Sequence, residues 1–98
     1  MVSKEEIISV LKTIYDPEIP IDIYNLGLIY GIEIRGNKVK IRMTFTVPTC
    51  PMVNYLVQEV KEKVSEIPGV EDVEVKLVWN PPWSPEMISE EYRKKLLG

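Results

Sequence analysis

Ninety-eight residues with a net charge of −3 leave room for one domain, 1–98, around one modest core, without a separate substrate domain. The acidic balance, with no Lys/Arg cluster and no G-x-x-G loop, excludes nucleic acid as a partner, and no apolar run is long enough to cross a membrane. Histidine is absent, which removes Ser-His-Asp and Cys-His catalysis and histidine-ligated metal sites together.

The opening Met1-Val2-Ser3-Lys4-Glu5-Glu6 has no signal-peptide pattern. Ser3 with Glu6 fits a capping box, and Ile7, Val10, Leu11 and Ile14 follow on one face, which predicts a helix from about Ser3 to Tyr15. Asp16-Pro17 ends it, because the residue before a proline disfavours helix. Residues 16–27 then form an irregular segment with two prolines, three acids and the apolar Ile19, Ile21, Ile23 and Leu26. Loops of this length that keep apolar side chains fold over something and are often functional.

From Leu28 to Arg35 the pattern alternates, with Leu28, Tyr30, Ile32 and Ile34 on one face of a first strand. Gly36-Asn37 is a two-residue hairpin signal. It leads to a second strand, in which Val39, Ile41, Met43, Phe45 and Val47 alternate with Lys40, Arg42, Thr44 and Thr46. The period changes at Thr46-Val47-Pro48-Thr49-Cys50-Pro51. Beyond it Val53, Leu56, Val57, Val60, Val64 and Ile67 recur at helical spacing, predicting a second helix over about 51–66. Pro51 suits a first helical position, where its missing N–H has no partner. Cys50 would then be the N-cap or the first residue, where free N–H groups and the positive end of the dipole favour a thiolate. It is the only cysteine; without an internal disulfide, a reducing cytoplasm is the expected compartment.

Pro68-Gly69 breaks the second helix, and Val73, Val75, Leu77 and Trp79 mark a third strand. Asn80-Pro81-Pro82-Trp83-Ser84-Pro85 is rigid and extended. Ser84 or Ser89 is placed to cap a last helix containing Met87, Ile88, Tyr92, Leu96 and Leu97. The fold class is therefore a two-layer α/β (α+β) domain of αββαβα order, a three-stranded mixed sheet with helices mainly on one face.

Seven of the eight prolines fall in the segments 16–27, 48–51 and 81–85, and topology brings these segments together. A tight hairpin makes strands one and two antiparallel, so strand one starts where strand two ends. A strand–helix–strand crossover makes strand three parallel to strand two. The acidic loop, Cys50 and the Pro-Pro-Trp segment are then expected at one end of the sheet. Ligands of open α/β sheets gather at such an end.

At these segments the chain resembles the SufT-like and PaaD-like proteins, a metal–sulfur cluster biosynthesis family. Asp16-Pro17-Glu18, Asp22 and Leu26-Gly27-Leu28 resemble the family's D-P-E…D…L-G-L opening. Thr46-Val47-Pro48-Thr49-Cys50-Pro51 resembles T-x-P-x-C-P, with Thr49 where many members have glycine. Pro81-Pro82-Trp83-Ser84-Pro85, Arg93 and Leu97-Gly98 resemble the P-P-W-[TS]-P…R…L-G ending. The resemblance implies an iron–sulfur cluster assembly fold and a role in maturing iron–sulfur proteins as carrier or adaptor. Its partners would be an assembly scaffold or carrier and client apo-proteins. A branch of the family instead serves ring-oxygenase complexes in aromatic-acid breakdown.

Cys50 is the candidate ligand for transient iron or cluster, against the alternative of a small buried hydrophobe. Asp16, Glu18, Asp22, Thr46, Thr49, Pro51, Pro82 and Trp83 are the residues expected to line its site. For Asp16, Glu18 and Asp22 a hard-metal or partner-lysine site competes with turn capping, and turn capping is favoured. Trp79, on the apolar face of strand three, is expected in the core and Trp83 at the surface. Thr44, Thr46, Arg42, Lys40, Glu74 and Lys76 are expected on the opposite sheet face, solvated or in a homodimer contact.

An iron–sulfur cluster normally takes four thiolates. One chain offers one and a twofold dimer two, so no stably bound cofactor is expected. A non-enzymatic maturation factor is the leading reading. The alternatives are an accessory subunit of an oxygenase complex, or a sulfur-transfer enzyme with Cys50 as a nucleophile lacking a histidine base.

Overall fold

The computed structural model describes residues 2–16, 19–45 and 53–97, the last three of these by backbone alone. Among them the elements run α1 (Lys4–Leu11), β1 (Ile29–Arg35), β2 (Lys38–Met43), α2 (Val53–Ser65), β3 (Asp72–Leu77), a 3-10 turn (Pro85–Met87) and α3 (Glu90–Leu97). The strand order is β1-β2-β3, antiparallel between β1 and β2 and parallel between β2 and β3. This is the small α+β arrangement expected from the sequence, with the mixed sheet set by one tight hairpin and one helical crossover.

The capping box forms as read. The Ser3 hydroxyl accepts from the Glu6 N–H at 3.2 Å, and the Glu6 carboxylate accepts from the Ser3 N–H at 3.1 Å. Ser3→Ala is expected to cost about 1 kcal/mol, read as a lower urea midpoint with unchanged slope. The helix stops at Leu11 instead of continuing to Tyr15. Beyond it the Thr13 hydroxyl donates to the Val10 carbonyl at 2.6 Å. Tyr15 then bridges to Asp22, and Ile23 N–H reaches the Ile14 carbonyl at 2.8 Å. Cross-chain pairing with the loop thus replaces the last predicted helical turn.

Val39, Ile41 and Met43 of the central strand face the helices and are buried. They pack with Ile7, Leu11, Leu56, Val60 and Val64 from α1 and α2, and with Ile21, Ile23, Leu26 and Leu28 from the loop. Each such side chain contributes about 1.5–3 kcal/mol when fully buried. The long irregular segment therefore belongs to the core, which explains why it carries isoleucine at alternate positions.

Two faces differ from the sequence reading. β1 carries a bulge: Ile29 opposes Met43 and Gly31 opposes Arg42, so Tyr30 is the extra residue. The inward set is consequently Ile29, Ile32 and Ile34, without Tyr30. Thr44, expected on the charged face, is fully buried, and its hydroxyl has no partner among the described residues. It lies past the end of β2, where its N–H reaches the Leu28 carbonyl at 2.8 Å, so the two-residue alternation no longer sets its exposure. The outward residues of β2 and β3 are charged, with surface pairs Glu33–Arg35 and Lys40–Glu74 near 4 Å.

Candidate functional site

The loop before β1 and the segment after β3 meet at one end of the sheet. The loop is shaped by its acids. Asp22 is buried, and its carboxylate accepts from both the backbone N–H and the side-chain amide of Asn25, each at 2.9 Å. Asp16 accepts from Ile19 N–H at 3.0 Å. Both acids thus act as turn caps, which suits Asx chemistry before a proline-rich bend. The turn started by Asp22 closes at Gly27, whose φ of 87° favours glycine.

From β3 the chain crosses back over this loop as a strap, entered through a cis Asn80–Pro81 peptide. Trp83 Nε1–H donates to the Leu26 carbonyl at 2.8 Å, and Ser89 N–H donates to the Asn25 carbonyl at 2.8 Å. The Tyr30 hydroxyl, aimed outward by the bulge, donates to the Pro81 carbonyl at 2.7 Å. Arg93 of the family-like ending closes the 3-10 turn by donating to the Glu86 carbonyl at 3.4 Å.

Tyr30 is an anchor that the sequence reading missed. Gly31 was the available signal, because an isolated glycine inside a strand pattern marks a bulge or a close approach. An added Cβ at Gly31 would lie 2.6 Å from the Arg42 guanidinium. Partial burial raises the Tyr30 phenol above its ordinary 10.0. Its stabilising contribution is complete below that pH, where the unfolded chain keeps the same proton. It is lost as pH rises through the folded value. Tyr30→Phe is expected to cost about 1 kcal/mol at neutral pH and to reduce the alkaline loss of stability, followed by circular dichroism.

The tryptophans exchange the roles expected of them. Trp83 is half-buried against the core. Trp79 lies beyond the last residue of β3 and is 41% exposed, its ring 6.4 Å from that of buried Phe45. The strap's own backbone carries Trp83 inward, whereas Trp79 lies before the strap turns back and stays exposed. Because these are the only tryptophans, Trp79→Phe should leave a blue-shifted emission that acrylamide quenches poorly. Trp83→Phe should leave a red-shifted, readily quenched one.

The last helix is also shorter than expected. Met87 lies in the 3-10 turn and Ile88 follows it; α3 begins only at Glu90. Neither serine hydroxyl caps as expected. Ser84 makes no side-chain cap bond to the turn, and the buried Ser89 hydroxyl has no partner among the described residues. The Ser89 backbone does both jobs instead, bonding Asn25 through its N–H and Arg93 N–H through its carbonyl.

Behind the strap lies a hollow of about 600 Å³, lined by Ile29, Tyr30, Arg42, Val78, Pro81 and Met87 among others. Among the described residues no three of Cys, Asp and Glu gather as metal ligands. Glu18, Thr46, Thr49, Cys50 and Pro51 lie outside the described residues. Of the expected lining, Asp16 and Asp22 shape the loop from within and Trp83 joins the strap to it, and Pro82 is exposed on the strap. The segment carrying Cys50 connects Phe45, at this end of the sheet, to Val53 at the start of α2.

Comparison with known proteins agrees with this architecture. The family model described as "Iron-sulfur cluster assembly protein" matches residues 4–77. The chain is 42% identical over 96 residues to the Fe-S protein maturation auxiliary factor YitW of Bacillus subtilis, covering 97% of this chain and 93% of that one. It is 43% identical over 86 residues to the Fe-S protein maturation auxiliary factor SufT of Staphylococcus aureus, covering 87% and 97%. A solved DUF59 domain from Bacillus anthracis superposes with a TM-score of 0.88 at 39% identity, covering 95% of this chain and 90% of that one. The protein belongs to the iron–sulfur cluster assembly family.

Proposed function

We propose that the chain is a non-enzymatic iron–sulfur maturation factor in which Cys50 transiently holds or guides iron or cluster. The loop–strap end of the sheet would dock the donor and the client apo-protein. The observation that carries this reading is the meeting of two of the three family-like motifs, Asp22–Gly27 and Pro81–Trp83, through the Trp83–Leu26 hydrogen bond. The third motif, with Cys50, lies in the chain between Phe45 and Val53, outside the described residues. The names of the Bacillus subtilis and Staphylococcus aureus relatives support maturation as the process.

A lone thiolate supplies one of the four ligands a cluster needs, so the complex with iron or cluster is expected to be labile. Among the described residues Asp16 and Asp22 are engaged in turns, which favours sulfur as the ligand chemistry. Anaerobic incubation with iron and sulfide should give visible absorption that depends on Cys50 and disappears with a mild chelator. Identical spectra for the native chain and Cys50→Ala would count against cluster contact and leave adaptor work alone. Cys50 should also alkylate faster at neutral pH than a model thiol of pKa ~8.5.

A further inference from the structure

We infer that two copies of this chain pair through the free edge of β3, in an antiparallel register centred on Val75. The sheet ends at β3, whose far edge has no strand beside it among the described residues. Val78 N–H bonds the Met43 carbonyl at 2.9 Å, and backbone groups alternate sides along a strand. The even-numbered residues therefore turn toward β2, while Val73, Val75 and Leu77 present N–H and C=O to the open edge. An exposed row of this kind is a template for another strand.

The occupant follows from side-chain order. A twofold axis perpendicular to the sheet keeps the helix-covered face continuous, so odd residues must oppose odd ones. Centred on Val75, Val75 meets its own copy and Val73 meets the partner's Leu77, each pair exchanging both N–H···O bonds. The outward residues between them match in charge: Glu74 faces the partner's Lys76, and Lys76 faces the partner's Glu74. Centred one residue earlier, Glu74 stacks on Glu74; one residue later, Lys76 stacks on Lys76. Both side chains are exposed, and Lys76 makes no ion pair among the described residues.

The other edge is unsuited. On β1 a register centred on Ile34 would match Glu33 with Arg35, but the strand ends at Arg35 and its other end is bent by the bulge at Tyr30. In the β3 dimer, by contrast, the paired residues 73–77 all lie within the strand.

Sedimentation velocity of the full chain should show a concentration-dependent monomer–dimer equilibrium. Val75→Pro removes an N–H that faces the open edge and not β2, so it should weaken the dimer about tenfold or more with an unchanged far-UV spectrum. Glu74→Lys should weaken it about tenfold, and adding Lys76→Glu should restore it. A native chain that stays monomeric would overturn the proposal. So would a dimer indifferent to Glu74→Lys, or a double variant no better than the single one. Should Val75→Pro fail to fold, the charge exchange decides alone.

Discussion

Cys50→Ala is expected to abolish maturation of client iron–sulfur enzymes in a strain that depends on this protein, while the domain stays folded. The substitution removes the only thiol and with it the only thiolate the chain can offer, and histidine is absent as well. The stability cost of such a change is of the order of an average substitution, about 1 kcal/mol. Loss of client activity with a cooperative melting curve lowered by only about 4–8 °C is thus the expected pair of results. Full complementation by Cys50→Ala would show that docking alone suffices. Cys50→Ser separates size from ligation, since it keeps the volume and loses the soft donor; it should fail as alanine does.

Gly27→Ala is expected to cost about 3 kcal/mol or more, among the largest effects of any conservative change in this fold. Two penalties act at one residue. With φ at 87° a β-carbon is strained, worth about 1–2 kcal/mol. The added methyl would also overlap the Met87 carbonyl oxygen and lie 2.8 Å from its carbonyl carbon and its Cβ. Those atoms belong to the 3-10 turn of the strap, so relief requires backbone movement and not a change of rotamer. Gly36→Ala is the control, because its φ of 62° carries the conformational penalty with nothing within 4 Å of the new methyl. The difference in urea midpoint between the two variants isolates the steric part. Equal effects would mean that the strap yields without cost.

Much of the architecture is legible because its signals are local. The capping box at Ser3–Glu6, the Gly36-Asn37 turn and the change of period between β2 and α2 each need only a few neighbouring residues. The parallel placement of β3 follows from connection rules. What escapes is decided by distant partners. Helix α1 loses a turn because Asp22 and Ile23 lie alongside Tyr15 and Ile14. Trp79 and Trp83 trade exposure because periodicity along β3 says nothing about where the strap goes next. Tyr30 leaves the inward face because one bulge residue resets the alternation. At the candidate site, the turn-capping roles of Asp16 and Asp22 were readable from residue type. The Trp83–Leu26 bond was not, since it joins residues 57 positions apart.

The parallel pairing of β2 with β3 also dictates an order of assembly. The β1–β2 hairpin closes through two residues, while Lys38 meets Asp72 only after the whole crossover has been gathered. That closure costs about 3 kcal/mol in chain entropy, recovered when α2 and β3 cover the central strand. On a ribosome the hairpin can form early, but α2 can cover its inner face only once residue 65 has emerged. The strap comes last and fastens onto a loop made first. The connection between β2 and α2 lies within that crossover, so the end of the sheet where the loop and strap meet is complete only when the whole chain has been gathered.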